Sequence, residues 1–250
     1  MNIEPFFPLL VFVIIGVFAI LGWYRRKELQ ELKAIELQLI AAENNYEYQE
    51  NGSSYLSRLN QRDLLPGSRC TFKNLLSHQY DGHIIRLFDA SYVVSQGKSS
   101  KTIYLIGLAI EFEDVLLPRF DLKSAKLLDG LKIFSNKKKI KNERLPKWLQ
   151  DDFSLFQRRQ ALPQEVTGFL QGKSALRNHI SYSDFALLAG SSKTLVCYYL
   201  GSMDSSEQFV QQMMGKRIQI ARIIDQEVLG PPDDGLAAEI KLLKQVRATS

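Results

Sequence analysis

The chain opens on an unbroken apolar run and then changes period several times. From Pro5 to Tyr24 it reads PFFPLLVFVIIGVFAILGWY, twenty residues without a charge. As a helix such a run is about 30 Å long, the thickness of the hydrocarbon core of a bilayer. Phe, Leu, Ile and Val fill thirteen of its places. At roughly −0.4 kcal/mol each they contribute about −5 kcal/mol to insertion, enough to offset the glycines and the two prolines. Pro5 and Pro8 fall in the first turn, where a missing N–H costs least. Trp23 and Tyr24 stand at the exit, where amphipathic rings favour the interface. The pattern predicts a transmembrane helix over residues 5–24, with residues 1–4 a short external N-terminus. A cleaved signal peptide would need a basic stretch ahead of a shorter apolar run, and the only side-chain charge before this one is Glu4.

The period then becomes helical and polar. Residues 25–45 hold good helix formers without proline or glycine, which predicts a juxtamembrane helix continuous with the span. Leu32, Ile35, Leu39 and Ala42 form a heptad-like stripe. Two heptads fall short of a coiled coil, so self-association and a helix lying against its own domain explain the stripe equally well.

From residue 46 the alternation is that of strands. Tyr46-Glu47-Tyr48 reads as a short strand, Asn51–Ser54 as a turn, and Tyr55–Leu64 as a short helix ended by Pro66-Gly67. CTFKNLLSHQY, HIIRLFDASYVV and KTIYLIGLAIEFE are three β-rich runs parted by Asp81-Gly82 and by Ser95–Ser100, two consecutive hairpins. Both faces of the third run are mostly apolar, which places it centrally, covered on both sides. Pro118 makes LPRFDLK a loop in this reading, and Pro163 opens a helix closed by Gly172. ISYSDFALLAG and KTLVCYYL form a further hairpin. A helix follows from about Ser205 to Asp225, with Asp204 and Glu207 as a capping box and Phe209, Val210, Met213, Met214, Ile218, Ala221 and Ile224 as its buried stripe. Gly230-Pro231-Pro232 ends the domain, and Leu236–Val246 reads as an amphipathic segment. The predicted fold is α+β: an N-terminal transmembrane helix, then over 46–229 an antiparallel sheet of hairpins with helices packed on it, then a linker and short C-terminal segment over 230–250.

Charge supplies the orientation. Arg25-Arg26-Lys27 directly follow the span, so that end is expected to be retained in the cytoplasm of a bacterial inner or plasma membrane, with the N-terminus outside. The 250 residues are 45% apolar and 24% charged, with a net charge of +5. That is the composition of a folded body able to approach an anionic leaflet. Seven lysines or arginines lie between Lys132 and Lys147. Lys137, Lys138 and Lys139 from this stretch join Arg25, Arg26 and Lys27 as candidate contacts with anionic lipid headgroups. No basic-aromatic signature of a nucleic-acid-binding sheet is present. The two cysteines, Cys70 and Cys197, suit a reducing compartment, where thiols are simply packed.

Candidate chemistry is sparse. Gly97-Lys98-Ser99 resembles part of a phosphate loop, but Tyr92 stands where that loop needs its first glycine and a strand follows where it needs a helix. Gly172-Lys173-Ser174 and Gly190–Thr194 fail in the same way. His78 and His83 flank a turn and are candidate metal ligands, but an open zinc site takes three protein ligands, and His179 is distant in sequence. No nucleophile elbow is present. The adjacent carboxylates Asp151-Asp152 and Asp233-Asp234 do not share a helix face. No catalytic residue and no cofactor is assigned.

Several short motifs carry a resemblance: the span followed by Arg25-Arg26-Lys27, Ala41-Ala42-Glu43 leading to Tyr46-Glu47-Tyr48, Asn74-Leu75, Gly82, Phe88-Asp89-x-x-Tyr92, and Leu117-Pro118-x-Phe120-x-Leu122 before the late hairpin and helix. Together they resemble a family of uncharacterised bacterial single-span membrane proteins with a cytoplasmic domain of unknown function. This chain departs from that pattern at Ala90, where an aromatic is usual, and at Ser124, where proline is expected. The resemblance implies topology and no activity. The reading is therefore a membrane-anchored binding or scaffold domain with an unidentified protein partner. The alternatives are a membrane-proximal enzyme, in which His78 and His83 would assist through a metal, and a domain sensing anionic lipid.

Overall fold

The first helix, α1 (Phe6–Glu43), joins the predicted span and the juxtamembrane segment without a break over 38 residues, about 57 Å of helix. The computed structural model describes residues 6–66, 69–96, 99–124, 138–140, 145–150, 152–157, 162–180 and 185–225, with backbone alone at 6–10, 12, 95, 96, 138, 139 and 157. Residues 1–4, the tip Gly97-Lys98, Lys137 and the segment 230–250 lie outside the described residues. The two halves of α1 meet different surroundings. Large side chains from Val13 to Tyr24 are exposed on every face, Phe18 at 70%. Further along, Leu37, Ile40 and Ala41 are buried against the body. Among the described residues no helix is long and apolar enough to cross a membrane.

The body is α+β. Its strands are β1 (Glu47–Asn51), β2 (Thr71–Tyr80), β3 (His83–Gln96), β4 (Ser99–Glu111), β5 (Leu117–Ser124), β6 (Lys138–Lys139), β7 (Phe153–Gln157), β8 (Phe185–Ser192) and β9 (Thr194–Leu200). They form one nine-stranded sheet in the order β1-β2-β3-β4-β9-β8-β5-β7-β6, antiparallel at each pairing. The helices after α1 are α2 (Ser53–Gln61), α3 (Pro163–Gln171), α4 (Arg177–Ile180) and α5 (Glu207–Asp225). The sheet buries both faces. On one side Tyr55 and Leu59 of α2 pack with Phe72, Phe88, Leu105 and Tyr198. On the other, the end of α1 with α3, α4 and α5 covers Ile85, Leu108, Ile110, Phe120 and Cys197.

The hairpins form where the sequence places them. Asp81 and Gly82 both take positive φ, 49° and 75°, as a two-residue turn matching the strand twist demands. β4 is central, between β3 and β9, and feeds alternate side chains to the two cores. Other readings need correction. LPRFDLK is a strand, β5, with Phe120 and Leu122 fully buried. Pro118 is tolerated because it falls in the register shift between Leu117 and Phe120 on β8, where no ladder N–H is needed. β7, with Phe153 and Leu155 buried, had no strand assigned to it. The late hairpin begins at Phe185, while Ile180, read as its start, ends α4. At α5 the cap is Ser206, whose Oγ accepts the Phe209 N–H at 3.4 Å, while Asp204 braces it by accepting the Ser206 N–H at 2.8 Å.

Neither cysteine is in a disulfide. Cys197 is buried between β9 and α5, and burial pushes its thiol up to about 11, opposed only in part by nearby Arg217. In native protein treated with iodoacetamide at pH 8, half-buried Cys70 is expected to alkylate well ahead of Cys197, read by mass spectrometry, because the thiolate is the reactive form. Equal labelling of the two would contradict this packing.

Candidate functional site

The best-defined polar centre lies where α1 meets the sheet, and a bulge creates it. The β2–β3 register shifts between Lys73 and Leu76, and Asn74 there takes a left-handed φ of 52°, a conformation that asparagine tolerates better than most residues. The bulge re-aims its amide. Asn74 Nδ2 donates to Asp89 Oδ2 at 2.8 Å, and Tyr48 of β1 donates its hydroxyl to Asn74 Oδ1 at 2.9 Å. Lys33 of α1 reaches the same Asp89 oxygen at 2.7 Å. The other oxygen, Oδ1, accepts the Met203 N–H, just ahead of α5, at 2.8 Å. One carboxylate thus joins α1, β2 and the approach to α5. Burial, with Glu50 and Asp89 nearby, pushes the Tyr48 phenol up to about 12, so it remains a donor.

Beside this centre is a cleft of about 480 Å³. Leu29 and Lys33 of α1 form one wall and the upper sheet the other, with Lys73, Ser91, Thr102 and Tyr104. Tyr104 is 62% exposed, an aromatic face available for contact. Leu29, in the lining of the cleft, is one helical turn beyond Arg25. Ammonium, carboxylate, hydroxyl and aromatic groups line it together, which suits reversible binding of a partly polar molecule or chain segment.

The residues singled out from sequence are dispersed. His83 Nε2 lies 2.7 Å from Asp225 Oδ2 at the end of α5, and its ring packs edge-on to Phe112. His78 packs instead edge-on to Tyr46 and beside the tilted Tyr80 ring. Among the described residues no three His, Cys, Asp or Glu side chains are grouped to hold a metal. Arg25, Arg26 and Lys27 are exposed on α1. Lys27 pairs with Glu31 at 3.6 Å with both side chains more than half exposed, an interaction worth little. Lys138 and Lys139 form β6, at the opposite edge of the sheet from β1, where α1 docks. Lys137 lies outside the described residues. Three residues from those short motifs, Tyr48, Asn74 and Asp89, meet in one network.

A second polar cluster is internal. Arg86 Nη1 lies 2.9 Å from Glu111 Oε1, Arg62 approaches the same oxygen at 3.6 Å and donates to Thr194 Oγ1, and the Arg86 guanidinium stands 4.6 Å over the Tyr55 ring. These groups fasten α2 to β3, β4 and β9. Sequence periodicity missed the buried cations, Lys173 and Arg217 among them. Lys173 donates to the Ile223 and Ile224 carbonyls, closing the C-terminal end of α5. Arg217 is fully buried, and its spacing four residues from both Met213 and Ala221 was the available signal.

No family model matches this chain, and no curated protein does. Among solved structures it is similar to the crystal structure of the mycobacterial trehalose monomycolate transport factor A, TtfA, with 11% identity, 80% of this chain and 97% of that chain covered, and a TM-score of 0.48.

Proposed function

We propose that this protein is a membrane-anchored binding module. In this reading residues 5–24 cross a bilayer, residues 1–4 lie outside, the α+β body is cytoplasmic, and the cleft at the root of α1 receives a partner. One observation carries it: the apolar half of α1 exposes Val13, Ile14, Ile15, Val17, Phe18, Ile20 and Leu21 on all sides, although the same helix is buried normally where it meets the body. A helix apolar all round finds its low-energy surroundings in a protein core or in lipid, and the body leaves this half uncovered. Trp23 and Tyr24, in edge-to-face contact at 5.1 Å and both exposed, suit the interface above a cationic collar.

Carbonate extraction tests the anchor. The full chain is expected to stay in the membrane pellet at alkaline pH, and a reporter fused after Ser250 is expected to read as cytoplasmic. Release into the supernatant, or a reporter active only on the far side, would remove this reading. Anchoring fixes the cleft close to the bilayer, because only about 8 Å of helix separates Tyr24 from Leu29.

A further inference from the structure

Among the described residues, Lys173 is met by two helix-terminal carbonyls, Lys33 by the Asp89 carboxylate, and Arg86 by the charge of Glu111 at 2.9 Å. Arg217 is different. It is 0% exposed, it sits on the face of α5 turned to the sheet, and none of its three side-chain nitrogens has a hydrogen-bond partner among the described residues. Cys197 and Tyr199 lie close by, the Tyr199 ring centroid 5.9 Å from the guanidinium carbon. A buried, unmatched charge costs several kcal/mol. Buried water would satisfy its N–H groups but would leave that charge uncompensated.

The surroundings add positive groups. His179 of α4 is close enough to both Lys216 and Arg217 that burial and the two cations together hold its imidazole below its usual range. The Tyr199 hydroxyl donates to the His179 carbonyl at 3.1 Å, tying α4 to β9. His179 and Lys216 are half-buried, so the basic cluster runs from the surface between α4 and α5 down to Arg217.

We propose that Arg217 is the receptor for a singly charged oxyanion carried on an apolar body, entering between α4 and α5. The guanidinium fork matches two oxygens of one carboxylate or phosphodiester. Its single charge matches a monoanion. Its neighbours on the buried face of α5, Met213 and Ile220, are apolar and offer no compensation to a hydrated dianion. The site is separate from the cleft at α1 and does not depend on the function proposed for it.

The full chain in detergent is titrated with decanoate, with a short-chain phosphatidylglycerol and with inorganic phosphate, following thermal unfolding and native mass spectrometry. Decanoate or the phosphatidylglycerol raises the unfolding midpoint saturably, and which of the two does so identifies the headgroup; phosphate alone does not. Arg217→Met, which replaces the charge by a shorter unbranched apolar chain, abolishes the response. Arg217→Lys keeps the charge without the fork and weakens binding by about tenfold or more, which serves as the test should the methionine variant fail to fold. The proposal is overturned if neither amphiphile shifts the wild-type midpoint, if inorganic phosphate does so equally, or if both variants respond as the wild type does.

Discussion

Replacing Gly107 by valine is expected to destabilise the protein by roughly 3 kcal/mol, near the upper end of the overpacking range. Gly107 pairs directly with Phe88 across β3 and β4, and the Phe88 ring lies over the glycine. A Cβ at this position would stand 2.1 Å from Phe88 Cε2 and 2.3 Å from Cζ. The ring has nowhere to move. It packs against Phe72 at 4.4 Å, Tyr55 at 5.6 Å and Tyr198 at 6.3 Å, and Phe88 is fully buried. Gly190 under Phe120 repeats the arrangement between β8 and β5, with a Cβ 2.4 Å from the ring. Urea unfolding of Gly107→Ala, Gly107→Val, and Gly107→Ala with Phe88→Leu would measure the effect. The second change should return part of the stability that Gly107→Ala loses, since contacting residues couple. A Gly107→Ala protein within about 0.5 kcal/mol of wild type would show that the ring is not seated on the glycine.

Asp89→Ala is expected to cost about 3 kcal/mol and to loosen the docking of α1. The substitution removes the acceptor for Lys33, Asn74 and the Met203 N–H together, and hydrogen bonds to a charged acceptor contribute about 1.5–3 kcal/mol each. The sum is discounted because Lys33 is partly exposed and regains water once its partner is gone. Asp89→Asn keeps an acceptor and should fall between. The distinguishing readout is coupling: Lys33→Ala should cost measurably in the wild type and almost nothing in Asp89→Ala. Hydrogen exchange should report faster opening over residues 33–44 than in the body of the sheet. Additive losses, or unchanged exchange in that segment, would mean that Asp89 serves the sheet alone and does not fasten the long helix.

How much of this was legible beforehand depended on the range over which each cause acts. The β2–β3 and β8–β9 hairpins, α3 with Pro163 at its start, and most of α5 follow from local period and turn chemistry, and the structure contains them. β5 was misread because Pro118 is a strong local breaker, and only the register shift against β8 makes it harmless. β7 is five residues long and gains its buried face from β5, which no local window contains. The stripe assigned to α5 omitted Arg217 and Ile220, both buried. For arginine the usual expectation of exposure outweighed a spacing that pointed inward.

The candidate site shows the same division. Asn74 and Asp89 could be marked as parts of short motifs, but nothing in their spacing indicates that one carboxylate ties them to Lys33 and to Met203, since those partners lie 56 and 114 residues from Asp89. Composition marked Arg25–Lys27 and Lys137–Lys139 as basic stretches, and the strand order alone places Lys138 and Lys139 on β6, at the edge of the sheet opposite β1. What the chain determines by itself is what near neighbours decide: a long uncharged leader, a helix continuing from it, the hairpins and the amphipathic face of α5. Tertiary structure alone decides which strand becomes the neighbour of which, which ring lies over which glycine, and which buried charge is matched and which is not. Those outcomes depend on contacts between residues far apart in sequence, and their free energy exists only once the sheet has brought them together.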